Sequence, residues 1–155
     1  MTAVSFVDTS ILCNLIPVPG RDQDRAEVAA EMRGKQRSRE VLILPVTALI
    51  ETGNFIAQIP EGNARRKTAQ TFEELLRLVI ENRVPWRLHQ FTWGTEFLES
   101  FIAGGGTGVP FVDHVTSRIG GGDLCILAER DLYRARTGIA VVNIWTRDAA
   151  LGAHS

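Results

Sequence analysis

Short apolar runs alternate along the chain with longer segments in which apolar residues recur at helical spacing. Val4–Val7, Val41–Leu44 and Ile139–Trp145 are apolar runs of strand length, and we expect a further strand at Trp86–Phe91. Runs of this kind are typical of strands that are buried on both faces of a parallel sheet. The pattern therefore predicts a sheet at the centre of the molecule.

Helical segments are predicted between and after these strands. They are Ser10–Ile16, Asp22–Arg39, Pro45–Gln58, Asn63–Asn82, Thr95–Ile102, Gly120–Arg136 and a short final helix that starts at Ala149. The clearest is Asn63–Asn82, where five apolar side chains between Phe72 and Ile80 lie at helical spacing. Gly138 stands where a helix commonly ends.

Alternation of strands and helices predicts an α/β fold with a central, mainly parallel sheet covered by helices on both faces. We expect a three-layer α/β/α sandwich in which residues 1–155 form a single domain. The glycine-rich segment Gly104–Gly108 lacks the Gly-Lys-Ser or Gly-Lys-Thr ending of a phosphate-binding loop. We expect it to be a flexible linker or a flap on the substrate side.

Composition narrows the class of protein. The chain is 45% hydrophobic and 23% charged, which is ordinary for a soluble globular domain. No apolar run approaches the ~18 residues that span a bilayer, so we expect no membrane partner. The N-terminus shows no signal-peptide pattern, which favours the cytoplasm. Cys13 and Cys125 lie among apolar residues and are expected to be reduced, and the three histidines show no zinc-ligand spacing.

The net charge of −1 hides two basic clusters. Arg33, Lys35, Arg37 and Arg39 form one of them, and Arg65–Lys67 form the other. A solvated helix face is the more common meaning of such a cluster, and contact with a phosphate backbone is the alternative. Charge alone therefore neither requires nor forbids a nucleic-acid partner.

Four acidic residues occupy related places in the predicted fold. Asp8 ends the first strand, Glu51 lies early in the helix after the second strand, Asp123 opens a helix and Asp148 follows the last strand. In a parallel sheet with right-handed crossovers, strand ends and the starts of the following helices lie on one edge. The topology should bring all four carboxylates to that edge.

Each carboxylate also has a simpler structural interpretation. Asp123 and Asp148 are good helix N-caps. Asp8 could fill a cap, and Glu51 could be an ordinary exposed helix residue. Glu51 nevertheless belongs to a narrow polar stripe on an otherwise apolar helix, and Asp8 follows an apolar strand, so both need a partner for a buried charge. Asp113 is a rival acid, but we expect irregular structure around it and rank it below Asp123.

Several carboxylates in one place repel each other and raise each other's pKa values, and a divalent cation relieves that repulsion. Magnesium and manganese prefer oxygen ligands, and magnesium often keeps several waters. A cation of this kind polarises a phosphoryl oxygen and lowers the pKa of bound water. The cluster therefore predicts Mg²⁺- or Mn²⁺-dependent hydrolysis of a phosphodiester.

Four segments resemble the acidic motifs of PIN-domain ribonucleases: Phe6–Ser10, Thr47–Glu51, Gly122–Ala128 and Trp145–Asp148. Their order and wide spacing match, and the resemblance covers nearly the whole chain. The chain length is also similar to that of VapC-type toxins of bacterial toxin–antitoxin pairs. The resemblance implies an α/β/α endoribonuclease that depends on Mg²⁺ or Mn²⁺ and forms a homodimer, with RNA as its substrate and a small antitoxin as an inhibiting partner.

By position in these motifs, the resemblance makes Asp8, Glu51, Asp123 and Asp148 the catalytic and metal-binding residues. Ser10 and Thr146 match hydroxyl residues of the first and last motifs, and Ser10 could orient a carboxylate. Asn54 follows Glu51 by three residues and could orient a ligand, although plain packing or a hydrogen bond is the simpler interpretation.

Two alternatives remain at the level of sequence. A haloacid-dehalogenase-like phosphatase uses an aspartate after its first strand as the nucleophile, but it needs an acid two residues later, where this chain has Ser10. The other alternative is a non-catalytic RNA-binding or scaffold domain with a PIN-like fold. Loss of one or more carboxylates would be expected in such a domain, and this chain keeps all four.

Overall fold

The computed structural model describes residues 2–155, and Met1 lies outside them. The four strands are β1 (Val4–Val7), β2 (Val41–Ile43), β3 (Trp86–Arg87) and β4 (Val142–Trp145). They form one sheet in the order β3-β2-β1-β4, and every neighbouring pair is parallel. The register places Val4 beside both Val41 and Val142.

Eight helices connect and cover these strands within residues 2–155. They are α1 (Thr9–Leu15), α2 (Arg25–Arg37), α3 (Val46–Ala57), α4 (Gly62–Ile80), α5 (Thr95–Ala103), α6 (Phe111–Thr116), α7 (Gly121–Thr137) and α8 (Ala149–Gly152). Gly138 ends α7 with a left-handed φ of 69°. The predicted α/β sandwich with a parallel sheet is confirmed.

Side chains of the central strand β1 alternate between two apolar layers, as expected for a strand covered on both faces. Val4 and Phe6 pack with Leu124 and Leu127 of α7 in one layer. Val7 packs in the other layer, which is built from α1 to α4 and the facing side of the sheet. All four residues of β1 are buried, so packing holds the end of this strand, where Asp8 follows, in place.

Two local predictions are wrong. The strand expected at Trp86–Phe91 ends at Arg87, because its only neighbour in the sheet is the three-residue strand β2 and Leu88 is already 49% exposed. The segment around Asp113, expected to be irregular, is the short helix α6. Pro110 precedes it as the N-cap, a place in which proline's fixed φ suits the entry to a helix.

The glycine-rich segment is a packed turn rather than the flexible linker or flap that its composition predicted. Gly104 ends α5 in the left-handed conformation, with φ of 94°, and Gly105 follows with φ of 63°. A Cβ atom on Gly105 would lie 2.6 Å from the Cβ atom of Leu127. The glycines therefore allow the end of α5 to approach α7 closely.

Neither cysteine forms a disulfide within residues 2–155. Cys13 is buried, Cys125 is partly buried, and both are free thiols. Within residues 2–155, no helix is both long and apolar enough to cross a membrane. In the first basic cluster, Lys35 forms an ion pair with Glu40 at 2.6 Å, so that cation is already neutralised.

Candidate metal centre

The carboxyl end of the sheet positions two of the predicted acids through helix capping. Asp8 follows β1 directly and is the N-cap of α1, where its carboxylate accepts a hydrogen bond from the Ser10 amide at 3.4 Å. Asp148 is the N-cap of α8 and accepts bonds from the amides of Ala150 and Leu151 at 2.9 and 3.0 Å. Capping fixes both carboxylates at this edge.

Asp123 does not cap its helix, contrary to one of its two sequence interpretations. The N-cap of α7 is Gly120, and Asp123 lies in the first turn without a capping hydrogen bond. The helix begins at Gly121, two residues before Asp123. Its carboxylate is therefore not occupied by the amides of its own helix.

One cavity of about 340 Å³ brings the predicted acids together. Its walls include all four of the carboxylates predicted from the sequence, namely Asp8, Glu51, Asp123 and Asp148. They come from α1, α3, α7 and α8, or from the caps of these helices. The expectation that the topology gathers these residues at one edge is confirmed.

Burial and neighbouring charges raise the pKa values of two carboxylates at the cavity. Burial, as the largest cause, and then the charges of Asp8, Asp148 and Glu51 together raise the pKa of Asp123 from 3.8 to about 6. The pKa of Glu51 is also raised, first by burial and then by Asp8, while a hydrogen bond from the Thr9 hydroxyl opposes the shift. This is the repulsion expected of carboxylates that share one space.

A network of hydroxyl groups fixes the orientation of Asp8. Ser10 Oγ and Thr146 Oγ1 both donate to Asp8 Oδ2, at 2.8 and 2.7 Å. The same hydroxyls accept hydrogen bonds from the backbone amides of Arg147 and Asp148, each at 2.9 Å. Ser10 and Thr146, predicted as supporting residues, therefore join the ends of β1 and β4 at the cavity.

The remaining predicted positions lie away from this cavity. Asn54 is exposed, does not line the cavity and makes no side-chain hydrogen bond within residues 2–155. A step of three residues rotates it about 60° around α3 from Glu51, which takes it off the wall. The structure gives this residue no contact that would support a ligand-orienting role. Asp113 is exposed on α6 and also lies outside the cavity, in agreement with its lower rank.

Two arginines at the cavity were missed by the sequence analysis. Arg147 lies between Thr146 and Asp148, so its adjacency to the last motif was a usable signal. It forms an ion pair with Glu31 at 3.0 Å. Arg21 belongs to the loop after α1, and no periodicity marks it. Its guanidinium lies 3.5 Å from the centre of the Phe55 ring, a contact that only the folded chain creates.

Asn14 holds the loop that carries Arg21 against α1. Its side-chain amide donates to the Ser10 carbonyl at 2.8 Å, and its carbonyl oxygen accepts from the Asp24 amide at 3.0 Å. Asn14 is itself buried, so this link is shielded from water. The loop therefore forms a fixed wall of the cavity.

The donor set suits a hard divalent cation, although the side chains are not arranged as a closed site. Carboxylate oxygens dominate, and they would be relieved of their mutual repulsion by a cation. Within residues 2–155, no three His, Cys, Asp or Glu side chains are arranged to hold a metal ion directly. The cavity therefore fits a cation that keeps several of its waters, as Mg²⁺ commonly does, better than a fully protein-ligated one.

The cavity combines acidic walls with a network of hydroxyl groups at the end of the sheet. Two of its walls are fixed by helix caps at the end of the sheet, and a third is the loop held by Asn14. Comparison of the chain with protein-family models, with curated proteins and with solved structures finds no match.

Proposed function

We propose that this protein is a metal-dependent endoribonuclease that hydrolyses RNA phosphodiester bonds with Mg²⁺ or Mn²⁺. The observation that carries the proposal is the convergence of Asp8, Glu51, Asp123 and Asp148 on one cavity, where the pKa of Asp123 is raised to about 6. The resemblance of the four acidic motifs to those of PIN-domain ribonucleases supports RNA as the substrate.

The two carboxylate oxygens of Asp8 have different surroundings. Oδ2 accepts hydrogen bonds from Ser10 and Thr146, whereas Oδ1 has no hydrogen-bond partner within residues 2–155. A carboxylate held by one oxygen can present the other to a cation without loss of orientation. We assign Asp8 as the best-oriented ligand of the site.

The other carboxylates complete the cation site in this proposal. Glu51, Asp123 and Asp148 contribute negative charge from the facing walls and can bind either the cation or its waters. A cation held by these carboxylates would lower the pKa of a water bound to it and would polarise a phosphoryl oxygen of the RNA. Asp123, whose pKa is raised to about 6, could also accept a proton from that water near neutral pH.

Ser10 weakens the alternative of a phosphatase with a nucleophilic aspartate. Such an enzyme needs an acid at this position to protonate the leaving group, and here the Ser10 hydroxyl is used to hold Asp8 Oδ2 at 2.8 Å. No second acid follows within two residues of Asp8. Hydrolysis by an activated water is the chemistry that the side chains favour.

By its resemblance to VapC-type toxins, we propose that the protein acts in the cytoplasm as the toxin of a toxin–antitoxin pair. A homodimer and inhibition by a small antitoxin that covers the acidic cavity are parts of this proposal. Co-expression with the product of a small neighbouring gene tests the toxin assignment separately from the chemistry.

The proposal is tested by RNA cleavage with the parent protein and with Asp8→Asn, each in Mg²⁺, in Mn²⁺ and in a chelator. Cleavage is expected only for the parent with a metal present, and the variant should lose at least about 100-fold in rate. Asp113→Asn is the matched control, because Asp113 is exposed and lies outside the cavity, and it should cleave like the parent.

Two results would contradict the proposal. Equal cleavage by the parent and Asp8→Asn would remove Asp8 from the site. A folded parent that neither binds a divalent cation nor cleaves RNA would leave the non-catalytic RNA-binding domain as the better interpretation. Circular dichroism of both variants checks that any loss of cleavage does not come from unfolding.

A further inference from the structure

We propose that Arg21 and Phe55, with the hollow beside them, form the subsite for the single-stranded RNA segment next to the cleaved bond. The inference rests on the proposed ribonuclease function and adds the path that the strand takes away from the acidic cavity. It is carried by the geometry of one cation–ring pair and by the charges on either side of it.

The Arg21–Phe55 pair is the wall shared by two neighbouring hollows. Both residues line the acidic cavity and also a second hollow of about 380 Å³. The remaining walls of the second hollow are Pro19, Gly20, Gln58, Ile59 and Pro60. A strand whose scissile phosphate lies among the carboxylates can therefore continue over this pair into the second hollow.

Arg21 is the cation at this place that is free to bind a phosphate. Within residues 2–155 its side chain has no ion pair and no hydrogen bond, and the residue is exposed. Arg147, the other cation lining the acidic cavity, is paired with Glu31. The Phe55 ring supports the Arg21 guanidinium at 3.5 Å and leaves its N–H groups available for the planar, bidentate recognition of phosphate.

A further cation, Arg65, contacts the wall of the second hollow. Arg65, near the start of α4, donates from Nη1 to the carbonyl oxygen of Ile59 at 2.9 Å, and Ile59 lines that hollow. Arg66 and Lys67 follow Arg65 directly. The acidic cavity is thus flanked on one side by cations, first Arg21 and then Arg65, which is the arrangement expected along the backbone of a bound polyanion.

The chemistry of the second hollow favours a single strand over a duplex. Phe55, Pro19 and Pro60 offer apolar surfaces against which a base can pack, and the Gln58 amide can donate to or accept from a base edge. An unpaired nucleotide exposes both its face and its edge, whereas a base in an A-form helix does not. Recognition of this kind tolerates several sequences.

Binding of a fluorescent single-stranded RNA oligonucleotide to the Asp8→Asn protein tests the subsite without cleavage. Arg21→Gln should weaken binding roughly fivefold and lower the slope of log affinity against log salt by about 0.7, the value for one phosphate contact on a single strand. Arg65→Gln should act in the same direction. Phe55→Leu should weaken binding because it removes the support of the guanidinium and a packing surface for a base.

Arg37→Gln is the matched control for charge. Arg37 is exposed at the end of α2, close in sequence to the start of β2 and therefore on the opposite edge of the sheet from the carboxylates. Its removal should leave the affinity and the salt slope unchanged. Circular dichroism and thermal unfolding establish that each variant is folded.

Equal affinity and salt slope for Arg21→Gln and Arg37→Gln would overturn the subsite while cleavage by the parent leaves the ribonuclease proposal standing. The subsite would also be overturned if Arg21→Gln weakened the binding of an RNA duplex more than the binding of the single strand. If the parent neither cleaves nor binds RNA, both the subsite and the proposed function are wrong.

Discussion

Asp8 shows how a single residue can be held in place without losing its capacity to bind a ligand. Three groups at hydrogen-bond distance, the Ser10 amide, the Ser10 hydroxyl and the Thr146 hydroxyl, all donate to Oδ2. Because the hydroxyls also accept from backbone amides, their own orientation is fixed. The hydrogen bonds thus fix the orientation of Asp8 and leave Oδ1 without a hydrogen-bond partner within residues 2–155.

Asp123→Asn should stabilise the metal-free protein above pH 6. The folded protein binds the Asp123 proton more tightly than the unfolded chain, since the pKa is raised from 3.8 to about 6. Ionisation of Asp123 therefore costs stability as the pH rises through this range. Allowing for solvent screening, we expect a gain of about 1 kcal/mol, or about 3 °C in Tm.

Thermal unfolding followed by circular dichroism in a chelator, from pH 3.5 to pH 7.5, measures this effect. The difference between variant and parent should vanish near the lower end of the range, where the aspartate is protonated in both states. Added Mn²⁺ should stabilise the parent more than the variant. A variant that is less stable than the parent at pH 7 without metal would contradict the proposed repulsion.

At the scale of elements, α7 is joined to the segment after β3 by a buried polar pair. His89 Nδ1 lies 2.7 Å from Glu129 Oε1, and both side chains are almost fully buried. Burial raises the pKa of Glu129, and the hydrogen bond from His89 opposes this shift. The rings of Phe6 and Tyr133 each form a T-shaped pair with the imidazole ring, with centroids 5.5 and 5.3 Å away, so the pair lies within the core beside β1.

His89→Leu should destabilise the protein by about 3 kcal/mol, because it leaves the buried Glu129 carboxyl without its partner. The double variant His89→Leu with Glu129→Met should recover more than half of that loss, since it removes both polar groups. Urea unfolding of the two single variants and the double variant gives the coupling energy. Losses that simply add would show that the pair is not coupled.

Gly105→Ala should destabilise the contact between α5 and α7 by about 3 kcal/mol. The added Cβ would meet Leu127 at 2.6 Å, in a backbone conformation with φ of 63° that favours glycine. Gly108→Ala is the control, because Gly108 has a similar φ of 79° but no atom within 4 Å of the added Cβ. It should lose only about 1 kcal/mol.

Thermal unfolding of the two glycine variants separates packing from backbone conformation. Equal losses of Tm would show that the close approach to Leu127 is unimportant. A selective loss in Gly105→Ala would confirm that the glycine-rich segment is a structural turn rather than a flap.

At the scale of the whole molecule, the sequence was sufficient to predict the sheet and the edge at which the acids meet. The apolar run of β1 marks a buried strand, and the order of strands and helices places Asp8 and Asp148 at the same edge. Contacts between distant segments cannot be predicted from these patterns. Nothing in the periodicity indicates that Arg21 stacks on Phe55 or that His89 reaches Glu129.

The glycine-rich segment Gly104–Gly108 was predicted to be flexible and is instead a packed turn. Glycine content indicates conformational freedom in an isolated chain, yet Gly105 is required here because Leu127 leaves no room for a Cβ atom. The function of such a residue depends on what packs against it, which is a property of the fold and not of the local sequence.

Cleavage of a defined RNA by the parent protein in H₂¹⁸O with Mg²⁺, followed by mass spectrometry of the products, tests the central claim most directly. Attack by a cation-activated water predicts that each cut leaves a linear terminal phosphate carrying one ¹⁸O atom, and that a chelator abolishes the products. A 2′,3′-cyclic phosphate without ¹⁸O, formed at the same rate in a chelator, would contradict the claim.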